Sequence, residues 1–163
     1  LEVASGDDPV FHPGRCAQLS VDGAVIGFAG ELHPRVIESG GLPDRSVAMW
    51  LDLDALVAVA PEVRVAPAVG TQPQAKEDLA VVVDRSVPVA DVQAALASGA
   101  GDLLESLRLF DVYEGPQVPA GKKSLAFALR FRATDRTLDA AETAGAREAA
   151  LAAAAERCEA TLR

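Results

Sequence analysis

Residues 115–124, GPQVPAGKKS, are the first candidate for chemistry because they resemble a phosphate-binding loop. Such a loop needs four residues between its glycines and a Ser or Thr directly after its lysine. Here five residues separate Gly115 from Gly121, and Lys123 follows Lys122. The segment also joins two predicted strands, so no helix N-terminus would face a phosphate. The pattern therefore predicts a basic hairpin loop and no nucleotide site.

The two histidines, His12 and His33, raise the question of a metal site because Cys16 and Glu31 lie near them in sequence. A structural zinc needs converging ligands at recognised spacings, and these spacings match none. Each histidine precedes a proline, which favours hydrogen bonding near turns. No serine lies in a G-x-S-x-G motif, and neither Cys16 nor Cys158 has an evident histidine partner. We therefore predict no catalytic residue, no metal site and two free thiols.

Asp52 and Asp54 are a second pair that could do acid–base work. Their spacing predicts that both side chains lie on one face of a strand. The solvent face of an edge strand explains these carboxylates without any catalytic role.

The strongest group is basic. Five cations lie close together near a single acid, Asp135: Lys122, Lys123, Arg130, Arg132 and Arg136. The alternation of residues 125–132 predicts that Arg130 and Arg132 share one face of the strand, opposite to the face of Leu129 and Phe131.

On the neighbouring predicted strand, Arg108, Phe110 and Val112 share one face by the same alternation, which places Phe110 and Tyr113 on opposite faces. Cations and aromatic rings on an open sheet face can hold phosphates and stack bases. The alternative is that the charges only solvate an exposed face and that Phe110 belongs to the core.

Composition sets limits on partners. The chain has 163 residues, with 24 acids and 15 bases, for a net charge of −9. Non-specific nucleic-acid binding needs phosphate neutralisation, so we expect no general nucleic-acid binding and no DNA partner. No apolar run approaches the roughly 20 residues that span a bilayer, so we expect no membrane partner. Two unpaired cysteines suit a reduced, cytoplasmic protein.

Prolines and a glycine over residues 61–73 predict a linker between two domains, at 1–68 and 69–163. The first domain reads as mostly sheet. Asp22-Gly23 predicts a tight hairpin, Pro34 to Gly40-Gly41 a short helix, and residues 46–53 a strand. We also expect the strand Met49–Leu53 to expose apolar surface.

The sequence predicts the order strand, helix, strand, strand, helix, strand for the second domain. The segments are 79–83, a helix after Pro88, 103–113, 125–131, a long helix to about Cys158, and 160–162. Asp139 and Glu142 have the spacing of a capping box at the start of the long helix. This order is the βαββαβ plan of ferredoxin-like domains, in which both helices cover one sheet face.

The second domain resembles the C-terminal anticodon-binding domain of bacterial phenylalanyl-tRNA synthetase beta subunits. The matching segments are KEDLAVVVDRSVP at 76–88, LLESLRLFDVYEG at 103–115, GKKSLAFALRF at 121–131, DRTLDAAE at 135–142 and ATLR at 160–163. In the first domain, HPGRCAQLSVDGAVIGFAGELHP at 12–34 and MWLDLDALV at 49–57 resemble the end of that subunit's synthetase-like core.

The resemblance implies an α+β chain: a partial mixed-sheet synthetase-like core, then a ferredoxin-like anticodon-binding domain. It implies an α2β2 enzyme that joins phenylalanine to its tRNA with ATP and Mg²⁺, with catalysis in the alpha subunit and no cofactor in this part. The partners implied are phenylalanine tRNA and the alpha subunit. The expected RNA contacts are Lys122, Lys123, Arg130, Arg132, Arg136 and either Phe110 or Tyr113.

Two alternatives stay open at this point. One is a structural module that assembles the tetramer with little RNA contact. The other is a regulatory domain that binds a small molecule such as free phenylalanine, since ferredoxin-like folds also bind amino acids.

Overall fold

A computed structural model of the chain forms two compact units, Leu1–Ala66 and Pro67–Arg163. It describes residues 1–60, 66 and 70–163, so the predicted boundary between 68 and 69, with most of the predicted linker, lies outside the described residues. Each unit has its own sheet and its own core. Within the described residues, no helix combines the length and the apolar character needed to cross a bilayer.

Unit 1 is a four-stranded antiparallel sheet with two short helices. Its elements are β1 (Glu2–Ser5), β2 (Phe11–Val21), β3 (Ala24–Leu32), α1 (Pro34–Gly40), β4 (Val47–Leu51) and α2 (Leu53–Val59). The strands lie side by side in chain order. Asp22 and Gly23 both have positive φ, 49° and 80°, as the predicted tight turn requires. Gly41 ends α1 in the left-handed region, and the predicted helix and hairpin are confirmed.

The interpretation of Asp52 and Asp54 as a strand pair is wrong. Asp52 caps α2, accepting a hydrogen bond from the Ala55 N–H at 3.0 Å, and Asp54 lies in the first helical turn. A carboxylate at this position satisfies a free N–H and interacts favourably with the helix dipole, and this local preference ends the strand at Leu51. The sequence patterns did not predict α2 or β1.

The two histidines bond at turns, as predicted. The His12 Nδ1 accepts a hydrogen bond from the Gly14 N–H at 3.1 Å. The His33 Nδ1 accepts one from the Arg35 N–H at 3.2 Å and so caps α1. Both rings therefore have a structural partner, and in the part of the chain that the structure describes no cluster of His, Cys, Asp and Glu could hold a metal ion.

Unit 2 is a ferredoxin-like domain. Its elements are β5 (Ala75–Asp84), α3 (Val89–Ala100), a 3-10 turn (Gly101–Leu103), β6 (Leu104–Tyr113), β7 (Lys122–Phe131), α4 (Ala140–Cys158) and β8 (Thr161–Leu162). The sheet order is β6-β7-β5-β8, and every pairing is antiparallel. The predicted α+β fold class and the βαββαβ order are confirmed.

The core of unit 2 follows from the alternation along β7. Leu125, Phe127, Leu129 and Phe131 are fully buried and point to the helix side of the sheet. In an antiparallel ladder, directly opposite residues share a face, so their partners on β5 point the same way. Val92 and Leu96 of α3 and Ala150 and Ala154 of α4 complete this core.

The alanines of α4 let the two helices approach closely. An added Cβ on Gly99 of α3 would lie only 2.5 Å from the Ala149 carbonyl oxygen and 2.7 Å from the Ala153 Cβ. Small residues on both helices are therefore required at this crossing. The capping box at Asp139 and Glu142 begins α4 as predicted.

Candidate nucleic-acid interface

The candidate interface is the sheet face of unit 2 that points away from the buried core, here called the open face. Cross-strand register places the following residues on it: Lys76, Asp78, Ala80 and Val82 of β5, Ser106, Arg108, Asp111 and Tyr113 of β6, and Ser124, Ala126, Ala128 and Arg130 of β7. Its centre is lined by small side chains, Ala80, Ala126 and Ala128. A floor of small residues allows a ligand to approach the backbone of the sheet closely.

Three cations lie toward one end of the open face. Lys76, Arg130 and Ser106 form one cross-strand row, and Arg108 lies in the next row. Lys76 and Arg108 are exposed, whereas Arg130 is half-buried. The Arg130 guanidinium donates to the Leu129 carbonyl at 2.8 Å and lies 3.8 Å from the Asp78 carboxylate. The pair is long and the Asp78 carboxylate is exposed, so Asp78 holds the Arg130 cation only weakly.

The opposite end of the open face combines an aromatic ring with cations. Tyr113, Ser124 and Val82 lie in one cross-strand row. In the next row on this face, Lys122 lies opposite Asp84 in the ladder. The guanidinium carbon of Arg163 lies 5.1 Å from the centre of the Tyr113 ring. The same guanidinium donates to the Gln117 side chain at 2.9 Å.

Asp84 reduces the positive charge at this end. Hydrogen bonds from the Ser86 hydroxyl and backbone N–H hold the pKa of Asp84 below its usual value, and Lys122 and Lys123 lower it further. The carboxylate therefore stays ionised beside Lys122 across the physiological pH range. A phosphate bound at Lys122 would lie near the Asp84 carboxylate, whose negative charge would oppose its binding.

Cross-strand register assigns a face to three of the five cations that the sequence grouped together. Lys122 and Arg130 lie on the open face, while Lys123 is opposite Val83, whose side chain is in the core. Arg132 follows the end of β7, where it lies 3.0 Å from Glu105 and donates to the Gly70 carbonyl.

Arg136 lies further along, before α4. It pairs with Asp135 at 3.1 Å and with Glu142 at 2.5 Å. The hydrogen bond from Arg136 is the main cause that lowers the pKa of Glu142, and the Asp139 N–H adds to it. Arg132 and Arg136 thus have carboxylate partners that an approaching phosphate would have to replace.

A β-bulge in β6 overturns the predicted alternation. The pairing shifts by one residue between Leu109 and Asp111, so Phe110 has no direct partner across the ladder. Beyond this bulge the faces exchange: Tyr113 joins Arg108 on the open face, and Val112 lies opposite the core residue Leu125. The prediction that Arg108, Phe110 and Val112 share one face is therefore wrong, because an extra residue breaks the period of two.

Arg163 and Lys76 are residues of this surface that were not among the predicted contacts. The short strand β8 pairs with β5, and the Arg163 N–H continues that pairing by donating to the Ala80 carbonyl at 3.0 Å. A predicted strand at 160–162 with a cation directly after it was the available signal. The contact between Arg163 and Tyr113 could not be predicted from this signal, because the two residues are far apart in sequence.

The charge of unit 2 limits how an RNA could be attracted to the open face. Residues 69–163 hold fourteen acids and eleven bases, a net charge of −3. Attraction of an RNA to this unit must therefore come from local clusters such as Lys76, Arg108 and Arg130. Binding through a few phosphate contacts is sensitive to salt.

Both units match models of known protein families. Residues 70–163 match the model described as "Ferredoxin-fold anticodon binding domain". The chain belongs to this family. Residues 1–53 match a second model, described as "Phenylalanyl tRNA synthetase beta chain CLM domain".

Curated relatives agree with both matches. The chain is 58% identical to the phenylalanine–tRNA ligase beta subunit of Streptomyces avermitilis and 57% identical to that of Thermobifida fusca, and in both cases all of this chain is covered. It is 50% identical to that of Mycolicibacterium paratuberculosis over 94% of the chain. These alignments cover 20%, 20% and 18% of the respective relatives, so the chain spans about a fifth of their length.

Proposed function

We propose that the chain is a tRNA-binding part of a phenylalanine–tRNA ligase beta subunit. Unit 2 contacts the anticodon stem-loop of phenylalanine tRNA and orients the tRNA for aminoacylation by an alpha subunit in an α2β2 enzyme. The intact enzyme uses ATP and Mg²⁺ and works in the cytoplasm, and this part contributes binding without catalysis. The observation that supports the proposal most is the match of residues 70–163 to the model of an anticodon-binding domain.

The open face supplies a physical route for this binding. Lys76, Arg108 and Arg130 neutralise phosphates of the anticodon arm at one end. Tyr113 at the other end, or the half-exposed Phe110 at the bulge of β6, stacks on an unpaired base, an interaction worth about 1–3 kcal/mol per base. The alanine floor between the two ends lets the nucleic-acid backbone lie close to the sheet.

The test is a titration of fluorescently labelled phenylalanine tRNA with the chain at about 50 and 200 mM salt. A non-cognate tRNA is titrated in parallel. We expect cognate-preferring binding that weakens as the salt concentration rises. Arg130→Gln should weaken binding and reduce the slope of log affinity against log salt by about one, as loss of one phosphate contact does.

Adjacent lysines give a matched control for the position of the RNA. Lys122→Gln removes a cation from the open face, whereas Lys123→Gln removes the same charge from the opposite face of the same strand. We expect the first change to weaken tRNA binding more than the second. Equal effects would contradict binding on the open face and would favour the wider set that includes Lys123, Arg132 and Arg136.

The structural-module alternative predicts a different result. If the chain binds no tRNA even at low salt, and open-face variants alter assembly of the tetramer while leaving its tRNA affinity unchanged, the proposal fails. A thermal shift with free phenylalanine and no response to tRNA would instead indicate the regulatory alternative.

A further inference from the structure

Arg163 connects three separate elements, one through its backbone and two through its guanidinium. Its backbone N–H donates to the Ala80 carbonyl of β5 at 3.0 Å. Its guanidinium donates to Gln117, in the segment between β6 and β7, at 2.9 Å. The guanidinium carbon also lies 5.1 Å from the centre of the Tyr113 ring at the end of β6.

This arrangement adds a restraint to the Tyr113 ring, beside the packing of the ring against Gly115. Tyr113 is the last residue of β6, beyond the bulge, and it is only partly buried. Its hydroxyl end packs against Gly115, where an added Cβ would lie 2.5 Å from the ring carbon Cζ. A tyrosine ring at a strand end has several rotamers available, so a contact on its face selects among them. Arg163 is the charged contact the structure provides to this ring.

We infer that Arg163 is a positioning residue, which holds the Tyr113 ring and the loop that carries Gln117 in the orientation used to bind RNA. The inference rests on the proposed function, because it takes Tyr113 as a stacking platform for a base. The planar guanidinium is essential to this role: it can lie over the ring and donate to Gln117 at the same time. A lysine at 163 carries the same charge on a point-like group and cannot do both.

The test uses the fact that Tyr113 is the chain's only tyrosine. Ring-labelled ¹³C-tyrosine therefore gives NMR signals from this one ring. We compare the unchanged chain with Arg163→Lys and Arg163→Gln. The backbone bond to Ala80 survives in both variants because it does not involve the side chain. Arg157→Gln, in the last turn of α4, removes the same charge from a site away from the ring.

We expect the Tyr113 ring signals to move toward free-tyrosine values in both Arg163 variants and to stay in place in Arg157→Gln. Affinity for phenylalanine tRNA should fall about two- to five-fold in both Arg163 variants, the effect of losing one exposed cation–π contact. Lysine should not restore it. The salt dependence should be unchanged in Arg163→Lys, since the charge is kept.

Three results would overturn the inference. Ring signals that do not move in Arg163→Gln would show that Arg163 does not hold the ring. Full tRNA affinity in Arg163→Lys would show that only the charge matters. If the chain without substitutions binds tRNA and both Arg163 variants bind it with the same affinity, the contact has no role in binding. An unchanged chain that binds no tRNA contradicts the proposed function itself and leaves Arg163 a structural contact only.

Discussion

The two units differ in how completely they bury their own apolar residues. Unit 2 encloses fifteen buried core residues between its sheet and two helices of 12 and 19 residues. Among the described residues, unit 1 has one buried cluster of three, Phe11, Cys16 and Leu32, with Ile26 buried outside it, and its helices have seven residues each. Because a helix of seven residues can cover little of a sheet, much of the apolar surface of unit 1 stays exposed.

Unit 1 exposes large apolar side chains on several segments, and those on β4 and α2 are among the most exposed. Val47 is 76% exposed and Met49 61% exposed on the strand, and Leu53 and Val57 are 66% and 72% exposed on the helix. The sequence predicted this exposure for Met49–Leu53. Where such side chains form one contiguous patch, that patch is typical of a contact surface. That the rest of a longer subunit covers it stays a prediction.

The sharpest test of this contrast is truncation of one buried phenylalanine in each unit. Phe127 is 0% exposed and Phe11 2% exposed. We expect Phe127→Ala to lower the free energy of unfolding by about 3–5 kcal/mol, and Phe11→Ala by less, since its smaller core collapses more easily around a cavity. Urea unfolding followed by helical circular dichroism reports mainly on unit 2, and the fluorescence of Trp50, the chain's only tryptophan, reports on unit 1.

Phe110→Ala is the matched control, because it makes the same Phe-to-Ala change at a ring that is 51% exposed. Its effect on the free energy of unfolding should stay below about 1 kcal/mol. Equal losses for Phe127 and Phe11 would remove the proposed difference between the two cores.

Two glycines of unit 2 should respond in opposite directions to the same substitution. Gly99→Ala places a methyl group against the backbone of α4 and should destabilise unit 2 by about 1–3 kcal/mol. Gly145→Ala adds a methyl group where no atom lies within 4 Å and should stabilise it by about 0.5–1 kcal/mol. Thermal unfolding of both variants checks the sign. A neutral Gly99→Ala would mean that the helices are not closely packed.

The helix caps of the two units can also be compared, with expected losses in the free energy of unfolding of about 1 kcal/mol or less. Asp139 forms a reciprocal box with Glu142, with bonds of 2.8 and 3.1 Å, whereas Asp52 makes a single bond to the Ala55 N–H. We expect Asp139→Ala to cost about 1 kcal/mol and Asp52→Ala about half of that in urea unfolding. The reverse order would show that α2 contributes more to unit 1 than its length indicates.

The same box produces a pH dependence. The pKa of Glu142 is lowered in the folded chain, first by the Arg136 guanidinium and then by the Asp139 N–H. Its contribution to stability is therefore complete above the ordinary glutamate pKa of about 4.3 and is lost as the pH falls through the lowered value. Arg136→Gln should raise the pKa of Glu142 and weaken this acid-dependent loss. An NMR titration of the Glu142 carboxyl carbon measures the shift, and an unchanged pKa would contradict the assignment to Arg136.

The smallest effect is expected on the exposed strand of unit 1. Met49→Ser and Val47→Ser should change the free energy of unfolding of unit 1 by less than about 0.5 kcal/mol, although both remove large apolar side chains. Trp50 fluorescence during urea unfolding checks this. Losses comparable to that of Phe11→Ala would show that β4 is already covered in the isolated chain.

The sequence by itself determined the elements of unit 2 and their order. The alternation from Leu125 to Phe131, the spacing of Val92 and Leu96, and the capping pair Asp139 and Glu142 are local signals, since each follows from the geometry of one strand or one helix. The tight turn at Asp22-Gly23 was readable for the same reason. The carboxylate pair at Asp52 and Asp54 misled because a strand face and a helix cap use the same residue types.

Only the tertiary structure decided which charged and aromatic side chains meet. Grouping Lys122, Lys123, Arg130, Arg132 and Arg136 by sequence placed together cations that cross-strand register separates. The bulge at Phe110 exchanged the faces of β6, and β8 brought Arg163 to Tyr113. A local period cannot predict either event, because a register shift is chosen by pairing with a neighbouring strand, and the contact between a ring and a guanidinium depends on elements far apart in the chain.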